Sequence, residues 1–300
     1  MVCAIGTTEP WSAAGLGLDL RALVELGAHP VFAVAAVSAQ DAGGVRALYP
    51  LPIALLRAQL DALSAAPIAA FRIGALPTAD HAREVGARLA AAGVPSVYDP
   101  ALAASGGGAL TTGDAATTGA AASSGHSARA GDAATTGAAA RAGDAATTGD
   151  AATTGAAASV AWSLVPYADV ITPNLAEAEL LLAHPVRDPE AMRAAARELC
   201  ARGAQAVLLK GGHLARDADL GRLAGNVTDV LCDADGLREF TAPRLAGELR
   251  GTGCLLADAL AVGLARGEPL LEAVTAARAY VRRKIETGFA LGGMRLAGGG

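Results

Sequence analysis

The residues best placed to do chemistry in this chain are Gly251-Thr252-Gly253-Cys254. Two glycines remove side chains where backbone N–H groups can close around an anion. The run after them, Leu255 to Leu264, reads as a helix, so its unpaired N–H groups and its dipole point the same way. This is not the P-loop pattern, which needs Gly-Lys-Ser/Thr after a strand. The competing reading is an ordinary helix start with Thr252 as its cap. At a helix N-terminus a thiol's pKa falls below its usual value of about 8.5, so Cys254 is placed to take a proton from a hydroxyl or to polarise it. A small core cysteine is the alternative. Arg250, just before, offers charge for a transferred phosphoryl group.

Asn174 and Glu177 stand three residues apart at a helix start and face one side. An amide oxygen plus a carboxylate suits a hydrated Mg²⁺, which takes few protein ligands. Asn caps and first-turn glutamates are also routine at helix starts. Lys210-Gly211-Gly212-His213 sets a cation beside flexible backbone, suited to nucleotide phosphates. His213 alone reads as a surface loop residue.

These groups need elements to hold them. Short apolar runs (Val2–Gly6, Val31–Val37, Ala69–Ile73, Ser96–Tyr98, Val170–Ile171, Ala206–Leu209) alternate with helical patterns from Gly15, Ile53, Ala79, Leu175 and Glu190. Such alternation predicts βαβ units and a mostly parallel sheet, and continuous apolar runs predict helices on both its faces. Val227–Cys232 and Leu237–Thr241 flank Asp233-Ala234-Asp235-Gly236, a hairpin signal. Two helices follow, to about Leu264 and from Pro269 to Ile285. In a parallel sheet ligands bind beyond the carboxyl ends of the strands. Thr7 to Gly15, Ser38 to Asp41, Gly74, Asp99-Pro100, Thr172 to Asn174 and Lys210 to His213 all fall at that edge.

Net charge is −5 with both signs scattered, so no nucleic-acid or anionic-membrane partner is indicated. Arg282-Arg283-Lys284 reads as the solvated face of a last helix. No apolar stretch reaches the roughly 20 residues of a membrane span, and Met1 to Gly6 reads as a strand rather than a signal peptide. Cys3, Cys200, Cys232 and Cys254 show no Cys-x-x-Cys or zinc spacing and fit a reducing cytoplasm. Residues 105–158 are almost wholly Ala, Gly, Thr, Ser and Asp, with Gly-Asp-Ala-Ala-Thr-Thr-Gly at 113–119, 131–137, 143–149 and 149–155. They are expected to be a disordered insertion in one surface connection of a single domain spanning 1–300. The Gly298–Gly300 tail is expected to fray.

Thr172-Pro173-Asn174-Leu175-Ala176-Glu177, Lys210-Gly211-Gly212-His213 and Gly251-Thr252-Gly253-Cys254, in this order and spacing, resemble the hydroxymethylpyrimidine/phosphomethylpyrimidine kinases of thiamine biosynthesis. Gly15 to Leu20, Leu26-Gly27-Ala28 and Ala39-Gln40 extend the resemblance over the chain outside 105–158. It implies an α/β, ribokinase-like fold and an ATP-dependent phosphotransferase. The substrate would be 4-amino-5-hydroxymethyl-2-methylpyrimidine, its monophosphate, or both. The same resemblance gives roles. Gly251, Thr252, Gly253 and Cys254 would form the anion hole and catalytic centre. Asn174 and Glu177 would organise Mg²⁺, while Lys210, Gly212 and Asp99 would serve ATP. Ala14, Asp19 and Gln40 would bind the pyrimidine. The partner is then a small molecule, in a cytoplasmic enzyme for which a homodimer is open.

The chain departs from that family's pattern at Glu9-Pro10-Trp11-Ser12-Ala13-Ala14-Gly15, which is less glycine-rich. Ala103-Ala104-Ser105-Gly106 lacks the usual lysine, Ala75 replaces methionine, Arg72 lysine, and Arg250 histidine. Two other readings stay open: a pyridoxal/pyridoxine kinase, and a non-catalytic ligand-binding or regulatory relative.

Overall fold

The computed structural model describes residues 1–103, 108–111, 151–212, 225–247 and 249–298. In chain order these form β1 (Val2–Thr8), α1 (Gly15–Glu25), β2 (Pro30–Asp41), β3 (Gly44–Pro50), α2 (Ile53–Ala62), β4 (Ala70–Ile73), α3 (Ala79–Ala92) and β5 (Ser96–Tyr98). There follow α4 (Ala151–Trp162), β6 (Val170–Ile171), α5 (Leu175–Leu182), α6 (Pro189–Ala201), β7 (Val207–Leu209), β8 (Asn226–Asp233) and β9 (Gly236–Pro243). The chain ends in α7 (Thr252–Ala265), α8 (Leu270–Thr287), β10 (Phe289–Leu291) and β11 (Met294–Leu296).

Nine strands make one sheet in the order β3-β2-β1-β4-β5-β6-β7-β8-β9. From β2 through β7 every pairing is parallel, and the antiparallel pairs β2·β3, β7·β8 and β8·β9 lie toward the two edges. Successive strand residues point to opposite faces. Cys3 and Ile5 therefore enter a core shared with α2 to α6, while Val2 and Ala4 enter another shared with α1, α7 and α8. The expected sheet, with helices on both faces, is present.

Side-chain caps fix several helix starts. Thr78 accepts from the His81 N–H, and Asp188, followed by Pro189, accepts from the Ala191 N–H.

Some expectations need correcting. The range 105–158 is too wide for an unstructured insertion. Leu110 and Thr111 are buried, α4 begins at Ala151, and Ala157 packs in the core. The repeats at 113–119, 131–137 and 143–149 lie outside the described residues. Lys284 is buried on α8, with its ammonium 2.5 Å from Glu25 and 2.6 Å from the Gly298 carbonyl. It is therefore no solvated charge, and it ties down the tail at Gly298. The β3 strand and the β10–β11 hairpin had no clear sequence signal. Among the described residues, no helix is long and apolar enough to cross a membrane.

Candidate active site

The carboxyl ends of β1, β4, β5 and β7 bring residues to the first turns of α7. Gly251 is the N-cap, with φ +79°, and no side chain caps the helix. Thr252 is thus the first helical residue and not the cap. A Cβ at Gly251 would overlap the Ala13 carbonyl and Leu18, in a backbone region that side chains rarely adopt. The glycine lets α7 start against the Ala13–Leu18 segment, and its leading N–H groups remain available.

Opposite this turn lie Lys210 and Asp99. Lys210 follows β7, and its ammonium is 2.7 Å from Asp99 Oδ1. Thr172, after β6, donates to the same oxygen at 3.1 Å. A Cβ on Gly253 would come within 3.1 Å of the Lys210 ammonium and 3.3 Å of Asp99. Gly253 therefore keeps the α7 turn open toward both charges. Burial works to raise the Asp99 pKa, but Lys210 and Arg72 outweigh it and hold the carboxyl below its usual range. Burial likewise opposes the Lys210 charge, and Asp99 and Glu177 outweigh that and hold its proton firmly. Among its other anchors, the Lys210 N–H donates to Pro173, and Gly211 N–H donates to Asp229 at 2.9 Å. Gly212 accepts from Arg244 at 2.8 Å. His213 lies outside the described residues.

Asn174 and Glu177 form a reciprocal capping box: Glu177 accepts from the Asn174 N–H at 2.7 Å, and Asn174 accepts from the Glu177 N–H at 2.9 Å. The ordinary helix-start role is thus realised. Even so, a Glu177 oxygen also lies 4.0 Å from the Lys210 ammonium. Burial pushes this carboxyl up to about 7, against the pull of Lys210.

A second buried cluster sits beneath Cys254. Arg72, on β4, is 1% exposed and meets Asp19 at 3.1 Å, Asp258 at 3.2 Å and Asp99 at 3.8 Å. Gly74 makes room for it, since a Cβ there would overlap the guanidinium. The contacts are close but poorly directed: neither oxygen of Asp19 or of Asp258 has a hydrogen bond of good geometry from another described group. Burial pushes Asp19 up to about 6, while Arg72 and the neighbouring Cys254 thiol pull it down. Burial also drives Asp258 well above the carboxylate range. The Cys254 thiol is pushed up to about 12, first by loss of solvent and then by the surrounding carboxylates, with only Arg72 opposing. Burial thus outweighs the expected lowering by the helix terminus and favours the neutral thiol.

The substrate-side residues are placed less uniformly. Gln40, next to last in β2, lies beside a β-bulge at Ala39/Gln40 and is buried. The Ala14 N–H donates to the Glu9 carboxylate at 3.0 Å, which also accepts from Trp11 at 2.7 Å and from Ala13. Glu9 thus organises the segment where the chain is less glycine-rich. Asp19 has no exposed surface, and its neighbours are Arg72 and the thiol. Arg250 turns away from the α7 turn, donating to the Asp41 carbonyl at 2.9 Å and to Gln40 Oε1 at 3.3 Å. Sequence reading missed Asp258 and gave Arg72 no role. The available signals were a carboxylate inside the apolar run Leu255–Leu264 and a cation inside the four-residue strand β4.

Comparison with known proteins places the chain in a family. The family profile described as phosphomethylpyrimidine kinase matches residues 9–121 and 144–297, leaving out 122–143. A hydroxymethylpyrimidine/phosphomethylpyrimidine kinase of Streptomyces coelicolor is 32% identical over 98% of this chain and 91% of its own length. The structure of a phosphomethylpyrimidine kinase from Clostridium difficile superposes with a TM-score of 0.68 at 21% identity, covering 94% of this chain and 97% of that one. A Staphylococcus aureus pyridoxal kinase superposes at 0.74 with 22% identity, over 100% of this chain and 94% of that one. These last two establish a shared fold, and the profile and the Streptomyces relative establish descent: the chain is a phosphotransferase of the phosphomethylpyrimidine kinase family.

Proposed function

We propose that this protein transfers the γ-phosphoryl group of ATP to 4-amino-5-hydroxymethyl-2-methylpyrimidine, to its monophosphate, or to both. The observation that carries this reading is the uncapped first turn of α7, where Gly253 faces Lys210 and Asp99 and Cys254 lies over Asp19. A phosphoryl group in transfer spreads negative charge over its oxygens, so positioned N–H groups and cations stabilise it most. The N–H groups of Thr252, Gly253 and Cys254 hold those oxygens, and Lys210 supplies the fixed positive charge. Gly212 and Asp99 complete the nucleotide side.

Cys254 enters as a neutral S–H donor rather than as a thiolate base. Asp19 acts from beneath it, orienting the thiol while Arg72 balances the carboxylate. Glu177, with Asn174 acting through water because its side-chain oxygen already caps α5, would hold Mg²⁺. The donors fit: they are hard oxygens, and the buried Glu177 carboxyl, pushed up to about 7, is one that a cation would keep ionised. Bound there, Mg²⁺ would add divalent charge against the phosphate oxygens. On the substrate side, the Gln40 amide can both donate to and accept from a ring edge, and the backbone at Ala14 borders the pocket. The proposed setting is the cytoplasm, with a homodimer as the assembly to test by light scattering.

The deciding experiment measures ATP turnover by purified protein with the hydroxymethylpyrimidine, its monophosphate and pyridoxal in parallel. At least tenfold higher kcat/KM for the pyrimidine than for pyridoxal is expected. Equal or reversed preference would establish the vitamin B6 alternative instead, and no turnover of any of the three would leave a ligand-binding relative.

A further inference from the structure

Arg250 immediately precedes the α7 N-cap, yet its side chain serves another part of the molecule. One guanidinium nitrogen donates to the Asp41 carbonyl at 2.9 Å and approaches Met294 Sδ at 3.3 Å. The other donates to Gln40 Oε1 at 3.3 Å. The Arg250 N–H is itself fixed, donating to the Arg295 carbonyl on β11 at 3.0 Å. One side chain therefore joins the start of α7, the end of β2 and the β10–β11 hairpin.

The consequence for Gln40 is chemical. A guanidinium carries donors only, so the amide must turn its oxygen toward Arg250. Its NH₂ then points the other way, and among the described residues no group accepts from it. The β-bulge at Ala39/Gln40 shifts the register here, a device that re-aims a side chain. A free glutamine amide can flip, presenting oxygen or nitrogen alike. This one cannot flip without facing a guanidinium with its own N–H groups.

We infer that Arg250 is a specificity-positioning residue: it locks the Gln40 amide so that the NH₂ faces the substrate ring. The locked amide selects a flat heteroaromatic alcohol whose edge offers an acceptor, such as a ring nitrogen. One lone pair of the amide oxygen is left for an exocyclic amino group beside it. The inference rests on the proposed function, since it assumes that Gln40 lines the ring pocket. It assigns Arg250 no contact with the transferred phosphoryl group.

The test is a double-mutant cycle on ring binding, read by titration calorimetry with the hydroxymethylpyrimidine and with pyridoxal, without nucleotide. Gln40→Leu should weaken pyrimidine binding by about 10-fold or more, as an unpaired polar edge costs. Arg250→Met should weaken it by about 3- to 10-fold, because the amide then populates both orientations. The double variant should bind no worse than Gln40→Leu alone, since the two residues act as one unit. Arg250→Lys should recover part of the loss. Gln40→Glu, whose carboxylate pairs with Arg250 but offers no donor to the ring, should bind as poorly as Gln40→Leu.

In turnover, Arg250→Met should raise KM for the pyrimidine while kcat changes far less, the mark of lost uniform binding. A merely structural strut would lower thermal stability and weaken both rings equally. Losses that add in full in the double variant, or unchanged binding in Arg250→Met, would overturn the inference while the proposed function stood. An unmutated protein that binds neither ring would instead sink the functional reading, and this inference with it.

Discussion

Arg72 Nε and Asp258 Oδ1 lie 3.2 Å apart beneath the first turn of α7, with essentially no exposed surface on either side chain. One cation here faces three carboxyl groups, and burial drives the Asp258 proton affinity well above the carboxylate range. A carboxyl that keeps its proton resembles a carboxamide in shape and charge. Asp258→Asn is therefore expected to fold with a Tm within about 2 °C of the parent at pH 5 and at pH 8. Arg72→Met should behave quite differently. It strips the counter-charge from Asp19, while Asp99 keeps Lys210, and breaking a buried pair costs about 3–5 kcal/mol, or roughly 10 °C in a chain of this size. Thermal melts of the two variants check this; a loss above about 5 °C in Asp258→Asn at pH 8 would mean that Asp258 is an ionised partner of Arg72.

Asp19 gives the protein a signed pH dependence. Its carboxyl is pushed up to about 6 in the folded protein, chiefly by burial, and returns to about 3.9 on unfolding. Between those values the folded state binds the extra proton, so the contribution to stability is largest at low pH and declines as pH rises from about 4 to about 6. Asp19→Asn cannot ionise and should lose that decline. Relative to the parent, its Tm should be higher at pH 8 than at pH 4.5, even though activity falls as the thiol loses its orienting partner. Parallel melting curves at both pH values would show that Asp19 titrates normally.

Cys254→Ala should bind ATP nearly as the parent does while losing about 10²- to 10³-fold in kcat, the scale for removing one transition-state donor. The α7 backbone survives that change and the S–H donor does not. Cys254→Ser keeps a proton donor and should recover part of the rate. If the thiol instead worked as a thiolate, the serine variant would be as poor as alanine. Unchanged turnover in the alanine variant would remove Cys254 from the mechanism.

The sheet was legible because buried parallel strands are apolar on both faces, as Val2 to Ile5 and Val207 to Leu209 are. Helix starts were legible where a cap stood before them, as Asn174 does before α5. Two kinds of feature were not. α4 was hidden because Ala151–Gly155 continues the repeat, and nothing local distinguishes that alanine-threonine run from the residues before it. The state of Cys254 was misjudged for a different reason. Its helix terminus is written in the local sequence, as is Asp258 one turn along α7, whereas Asp19 on α1 and Asp99 after β5 are distant in sequence and joined to it only by the fold. Lys284 failed likewise, since its partner Glu25 is on α1.

For Glu177, the capping box and a metal role make different predictions. Glu177→Gln retains a side-chain oxygen able to accept from the Asn174 N–H, so α5 should keep its start and the Tm should change little. A formal charge is nevertheless lost near Lys210. If Glu177 helps to hold Mg²⁺, the concentration giving half-maximal rate should rise several-fold, with the maximal rate approached at high Mg²⁺. A Mg²⁺ titration superimposing on that of the parent would confine Glu177 to capping.

The segment 122–143 offers a last test, of what the repeats contribute. The family profile passes from 121 to 144 without it, and within it no apolar side chain is larger than alanine. Little burial can be lost with it. Its removal would shorten the connection between β5 and α4 by about half, and each doubling or halving of a loop changes closure entropy by only about 0.6 kcal/mol. In a chain of this size that is about 1–2 °C of Tm, in the stabilising direction. A wider cut, from 109 to 157, is a different matter, because it takes out the buried Leu110 and Thr111 and the core residue Ala157. The prediction is thus a contrast: the 122–143 deletion melts at or slightly above the parent temperature with full turnover, and the wider deletion loses several degrees. Equal loss in both variants would show that the repeats are part of the folded core.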